Sequence, residues 1–206
     1  MTDRIPRSLA LLLRAISAPT LPARPRDLRF NSEVTETAPD RFTGWLSDDI
    51  RPALNERGFT KAASTFHKRG PEGWGVVNFQ KSQFGSRIET RFTINLGVSL
   101  DRLTTARGGD PRKKPREHHC VWRTRIAGAV GDPNDRWWHL DHETDLAKLT
   151  TEIRPLLIDR GVPLIEQRLT EQGFVAALGR PLRIGRIAFF TEAQIIELLG
   201  TPEPTK

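Results

Sequence analysis

The fold class that the sequence predicts is α+β: an antiparallel meander sheet of four to five strands, with an N-terminal helix before it and two to three helices after it. Three observations predict this. From Ile88 onward the chain alternates, with Ile88, Thr90, Phe92, Ile94, Leu96 and Val98 on one face and Glu89, Arg91, Thr93 and Asn95 on the other. A period of two marks a half-buried strand. The preceding run, Gly75–Phe84, sets Val77 and Phe79 against Val76, Asn78 and Gln80, and Gly85-Ser86 between the runs suits a tight turn. Trp74–Leu100 therefore reads as a β-hairpin, which is marginal alone and must be paired and covered. Finally, helical stripes flank a series of short strand-like runs, the pattern of a sheet with helices on one face.

Taken in order, Ser8–Ala18 spaces Leu9, Leu12, Leu13 and Ile16 as one helical stripe. Pro19, Pro22 and Pro25 then enforce an extended linker. Asp3 and the interrupting Arg14 mark the apolar start as an ordinary helix rather than a secretion signal. Residues 1–38 thus read as a tethered helix and linker, 39–200 as a single α+β domain, and 201–206 as a disordered tail.

Asp40–Arg57 carries Phe42, Leu46, Ile50 and Leu54 at helical spacing, and Pro52 should kink it. Gly58 ends it, with Phe59 as the apolar contact after a glycine cap. The decapeptide Ile50–Phe59 matches Ile153–Val162 at six positions, so Gly161, and more weakly Gly173, should stop later helices in the same way. Thr65–Arg69 is a short strand, Gly70–Gly73 a turn, Cys120–Val130 a further strand and Arg136–Leu140 an edge strand. Leu146, Leu149, Ile153 and Leu157 form a helical stripe, and Pro163 suits the first turn of the next helix. Leu182–Phe190 reads as a strand or an extended arm. Thr191-Glu192-Ala193-Gln194 has the capping-box pattern of a helix start.

Gly58-Phe59, Phe66, Asn78-Phe79-Gln80-Lys81-Ser82 and Phe92-Thr93-Ile94-Asn95-Leu96-Gly97-Val98 carry a resemblance to a known family. Together they resemble the bacterial family called domain of unknown function 4304, over roughly Arg41 to Pro163. The resemblance implies a compact α+β domain, and it implies no activity and no catalytic residues.

Of the 206 residues, 37% are hydrophobic and 28% charged, so a core is available and global disorder is excluded. The net charge is +7, and Arg supplies 25 of the 32 basic residues. That preference fits a GC-rich bacterial genome and also suits phosphate recognition. The single Cys120 allows no intramolecular disulfide, which favours a cytoplasmic location. No apolar run reaches the roughly 20 residues of a membrane span, so no membrane is expected as a partner.

The most unusual local feature is Asp101–Arg125, which holds eight basic residues against three acidic ones. Gly108-Gly109, Pro111 and Pro115 make Thr104–Glu117 a mobile loop between strands. Arg107, Arg112, Lys113, Lys114, Arg116, Arg123 and Arg125 are the candidate nucleic-acid-binding residues, since such a loop can neutralise phosphates without reading sequence. A solvated charged insertion accounts for the same composition. Trp74, Trp122, Trp137 and Trp138 could stack on bases near this loop, or alternate between core and exposed edge.

Gln80, Lys81, Glu89 and Arg91 form a candidate polar site on the open sheet face, and cross-strand pairing explains them as well. His118, His119, Cys120, His139 and His142 are metal-ligand types. Adjacent histidines on a strand diverge, and neither Cys-x-x-Cys nor His-x-x-x-His occurs, so no metal and no cofactor are expected. Gly-x-Ser-x-Gly and the phosphate-loop pattern are absent.

The leading expectation is a non-enzymatic module of accessory or immunity type that binds a protein partner. The alternative is nucleic-acid binding through residues 101–125. A third reading is an enzyme using the polar sheet face.

Overall fold

In the computed structural model, residues 36–132, 134–178 and 185–200 are described. The expected helix at Ser8–Ala18, its linker and the tail 201–206 lie outside them.

Thr37 caps the first helix: its hydroxyl accepts from the Asp40 N–H at 3.3 Å. α1 (Ala38–Trp45) continues through a π turn (Leu46–Ile50) into α2 (Arg51–Glu56). Pro52 accounts for the π turn. Its ring would collide with the carbonyl four residues back, and a wider turn gives it room. The Arg51 N–H accordingly reaches back five residues to the Leu46 carbonyl.

The second long helix repeats the device. α5 (Leu146–Pro155) passes through a π turn (Leu156–Gly161) into α6 (Val162–Glu166), and the Val162 N–H, just before Pro163, donates to Leu157. The expected stop at Gly161 does not occur, because its backbone is helical at φ −70°. Close approach is what requires glycine there. A Cβ would lie 2.9 Å from Ile126 Cδ1 and 3.1 Å from Leu96 Cδ1. Gly173 also lies inside a helix, α7 (Glu171–Leu178). Gly58 alone of the three ends its helix, at φ +79°, and Phe59 N–H returns to the Leu54 carbonyl at 3.0 Å. Short helices α3 (Asp101–Ala106) and α4 (Ile126–Ala129) and the C-terminal α8 (Glu192–Leu199) complete the α-helices among the described residues. α8 begins at Thr191 with the expected capping box.

The sheet is antiparallel throughout. Its strands are β1 (Thr60–Ala62), β2 (Thr65–Arg69), β3 (Gly73–Lys81), β4 (Thr90–Leu100), β5 (Trp122–Arg125), β6 (Trp138–Leu140) and β7 (Arg186–Ile187). The order is β1-β2-β3-β4-β5-β7, and β6 pairs with the start of β4. The α+β class and the antiparallel sheet match expectation. Among the described residues the sheet has seven strands instead of four or five: β1, at three residues, is too short to show a period, and β7 is a two-residue strand within Leu182–Phe190, which reads in sequence as a strand or an extended arm. The expected strand to Val130 ends at Arg125, where α4 begins. Strand β4 starts at Thr90, leaving Ile88 exposed in the connection of residues 82–89.

One face of the sheet carries the core. Phe79, Phe92, Ile94, Leu96 and Val98 are fully buried with Phe42, Leu46, Leu54, Ile153 and Leu157 of the long helices. Phe92 lies 5.0 Å from the Phe42 ring, 5.4 Å from Trp45 and 5.7 Å from Trp138. Trp45 Nε1 donates to Thr150 Oγ1 at 2.9 Å, joining the two helices over the sheet. Among the described residues no helix is long and apolar enough to cross a membrane.

Candidate functional site

The opposite face of the sheet is polar. Strand alternation sends Thr65 and His67 of β2, Asn78 and Gln80 of β3, Thr93 and Asn95 of β4, and Arg123 and Arg125 of β5 to this side. Asn78 stands directly across from Asn95. The amides are locked by one another. Asn78 Nδ2 donates to Thr65 Oγ1 at 2.8 Å, and Asn95 Nδ2 donates to Gln80 Oε1 at 2.8 Å and to Asn78 Oδ1 at 3.4 Å. Asn95, only 5% exposed, forms a rigid neutral floor with its neighbours.

The segment 107–121 makes the wall, and here expectation needs correcting. Instead of a mobile loop, Thr104–Ala106 finish α3, and the rest is pinned to the polar face. Trp74 Nε1 donates to the Pro111 carbonyl at 2.9 Å, and His67 Nε2 meets the Pro115 carbonyl at 3.0 Å. Arg107 donates to the His119 carbonyl at 2.6 Å, and Lys114 to Thr60 Oγ1 at 3.2 Å. Gly97 admits this close packing: a Cβ there would lie 2.7 Å from Cys120 Sγ. Burial pushes the Cys120 thiol far above its ordinary range, so it packs as an apolar group. His118 and His119 sit in a 3-10 turn (Glu117–His119) rather than a strand, with ring centres 4.2 Å apart.

Floor and wall enclose a groove of two compartments that share Gln80 and Glu117. One, of about 480 Å³, is lined by Asn95, Arg123, Arg125 and Arg186. The other, of about 540 Å³, is lined by Thr65, His67, Asn78, Lys114, Arg116 and His118. Among the described residues Glu117 is the single carboxylate on this lining, 3.9 Å from the Arg123 guanidinium. Arg125 also contacts Asp135 outside the groove. Burial, and then the charges of His118, Arg107 and Arg116, hold His119 below its ordinary pKa. Burial likewise lowers His67, with a smaller push from Lys114, against the raising effect of its bond to Pro115.

Of the seven basic residues singled out in sequence, Lys114, Arg116, Arg123 and Arg125 meet at this groove. Arg107 stacks at 4.5 Å on Phe189, Arg112 pairs with Asp110, and Lys113 lies with Trp74 and Pro111; these three fall outside it. The proposed sheet-face set is divided. Gln80 lines the groove, whereas Lys81 faces the helices, its ammonium 5.8 Å from the Phe42 ring. Glu89 bonds His139 at 2.5 Å, and Arg91 lies beside that pair, in register with His139. Sequence reasoning missed Arg186, which reaches the groove because β7 pairs Arg186 with Arg123. It also missed the Asn78–Asn95 pairing, for which polar amides at alternate positions of both hairpin strands were the available signal. Among the described residues, no group of three or more His, Cys, Asp or Glu side chains is placed to hold a metal ion.

Residues 50–167 match the family model described as domain of unknown function (DUF4304). The match spans more than half of the chain, and the chain belongs to this family. It includes the floor and wall of the groove and leaves Arg186 outside. No curated protein and no solved structure matches the chain.

Proposed function

We propose that this member of the DUF4304 family is a non-enzymatic, cytoplasmic binding module, and that the groove on the polar face of its sheet takes nucleic acid. The observation that supports this most is the convergence of Lys114, Arg116, Arg123, Arg125 and Arg186 around a neutral amide floor. Cations on the rim can neutralise phosphates, and a rigid amide floor can hydrogen-bond what the phosphates carry. Catalysis finds less support, since Gln80, Lys81, Glu89 and Arg91 do not converge.

A protein partner is the second reading. It is favoured by Phe84 and Ile88, which are 89% and 76% exposed at the β3–β4 connection.

A salt titration tests the groove reading. Binding of a labelled oligonucleotide is followed by anisotropy from 50 to 300 mM salt. Five neutralised phosphates give a slope of log affinity against log salt of roughly −3 to −4. Lys114→Gln, Arg116→Gln and Arg186→Gln together reduce that slope by about 2 and abolish binding at the higher salt. Phe84→Ser leaves it unchanged. Absent or salt-independent binding refutes the groove reading, and loss through Phe84→Ser moves the site to the hairpin tip.

A further inference from the structure

We infer that the nucleic acid taken by this groove is single-stranded, with its bases lowered onto the amide floor. This rests on the groove reading above and adds the class of strand. Three observations carry it.

The first is charge placement. Lys114 and Arg116 line one compartment and Arg123, Arg125 and Arg186 the other, whereas Thr65, Asn78, Gln80 and Asn95 of the floor are neutral, and Glu117, the carboxylate shared by both compartments, lies 3.9 Å from the Arg123 guanidinium. A duplex presents phosphates on its outside and stacks its bases within. On this surface it would meet the rim and leave the floor without partners. A single strand can lay its backbone along the cations and turn base edges inward.

The second is the chemistry of the floor. The hydrogen bonds that lock Asn95 and Gln80 use the Asn95 Nδ2 and the Gln80 Oε1. That leaves the Asn95 Oδ1 as an acceptor and the Gln80 Nε2 as a donor. Such a pair complements the adjacent donor and acceptor atoms on a base edge.

The third is the presence of flat groups towards both ends. His118 lines one compartment, its ring packed against His119. Arg125 lines the other, and its guanidinium lies 5.3 Å from the half-exposed Trp137 ring. Rings and guanidinium planes support unstacked bases, and they are the recurrent companions of a basic groove in single-strand binders. The compartments, at about 480 and 540 Å³, fall within the usual range for small-ligand pockets and suit individual nucleotides.

The test uses the full chain with a mixed-sequence 12-mer, offered as a single strand and as its blunt duplex, at about 150 mM salt. Polyglutamate serves as an acidic-chain competitor. The expected result is single-strand affinity at least tenfold above duplex affinity, with polyglutamate a poor competitor. Trp137→Ala and Gln80→Ala should each weaken the single strand by about tenfold and spare the duplex. Both substitutions lie at exposed or half-exposed positions, and unchanged circular dichroism shows that each variant is folded.

Equal binding of the two forms, abolished by the Lys114, Arg116 and Arg186 substitutions, overturns the single-strand inference while the groove reading stands. Competition by polyglutamate as strong as by nucleic acid overturns it in favour of an acidic protein segment. Binding of neither form overturns both.

Discussion

The two faces of the sheet are made by the same strands and do opposite things. On β4, Phe92, Ile94, Leu96 and Val98 meet two long helices and an apolar core. On the alternate positions, Thr93 donates to the Arg136 backbone carbonyl, Asn95 to the Gln80 amide oxygen, Gly97 packs against Cys120 of the basic segment, and Ser99 hydrogen-bonds Thr104. All of these residues are buried, so burial alone does not separate core from site. Chemistry does. The helix side is held by non-directional packing, which tolerates no missing volume. The polar side is held by a few directed hydrogen bonds, each worth roughly 0.5–1.5 kcal/mol, and keeps open space above them. The lesson is that stability and binding have been assigned to different sides of one hairpin.

The largest effect should follow from damaging the helix side. Phe92→Ala removes a ring that touches Phe42, Trp45 and Trp138, and should cost about 3–5 kcal/mol in denaturant unfolding. A cost below about 1 kcal/mol would mean that the core is not centred there.

A smaller, pH-dependent effect should come from the polar side. His67 is held neutral, with its folded pKa below the ordinary value of 6.5. The unfolded chain therefore takes up the proton first. The stability that this supplies is complete above pH 6.5 and is lost as the pH falls through 6.5 towards the folded value. Unfolding measured at pH 7.5 and 5.5 should show this loss, together with lower protection against hydrogen exchange, relative to the intrinsic rate at each pH, in residues 107–121. His67→Asn should flatten it. Identical pH profiles for the two proteins would exclude His67 as the pin of that segment.

The smallest effect belongs to the bridge between β2 and α6. Burial raises the Glu166 pKa, but Lys68 at 2.6 Å and Arg57 at 2.9 Å outweigh it, and the folded value lies below 4.5. This contribution is present above pH 4.5 and disappears as the pH falls through the folded value. Glu166→Gln should cost roughly 0.5–1 kcal/mol at pH 7 and nothing near pH 2, as measured by urea unfolding at the two values.

The repeated decapeptide shows how much of this was legible in sequence. Local patterns read well where local forces decide. The alternation of β3 and β4, the Thr191 capping box and the Gly58 stop were all visible, because strand pleat, cap and left-handed glycine are set by neighbours in the chain. Ile153–Val162 carries the same Ile-Arg-Pro and Arg-Gly steps, yet its helix runs on. Gly161 is fixed by contact with Leu96 and Ile126, residues that no local pattern connects to it. The site divides in the same way. Lys114, Arg116, Arg123 and Arg125 were conspicuous as charge. Which of the seven cations face the groove was decided by where Trp74 and His67 anchor the segment. Arg186 depends on a two-residue strand pairing across more than sixty residues, below the reach of any periodicity.

The most direct measurement pairs thermal unfolding with oligonucleotide binding for one variant, Lys114→Gln with Arg116→Gln and Arg186→Gln. Among the described residues none of these three side chains has a carboxylate partner, and surface charges of this kind contribute little to stability. The division between the two faces predicts a melting temperature close to that of the wild type, with binding lost at physiological salt. A variant that binds as the wild type does, or one that loses binding only because it unfolds, would contradict it.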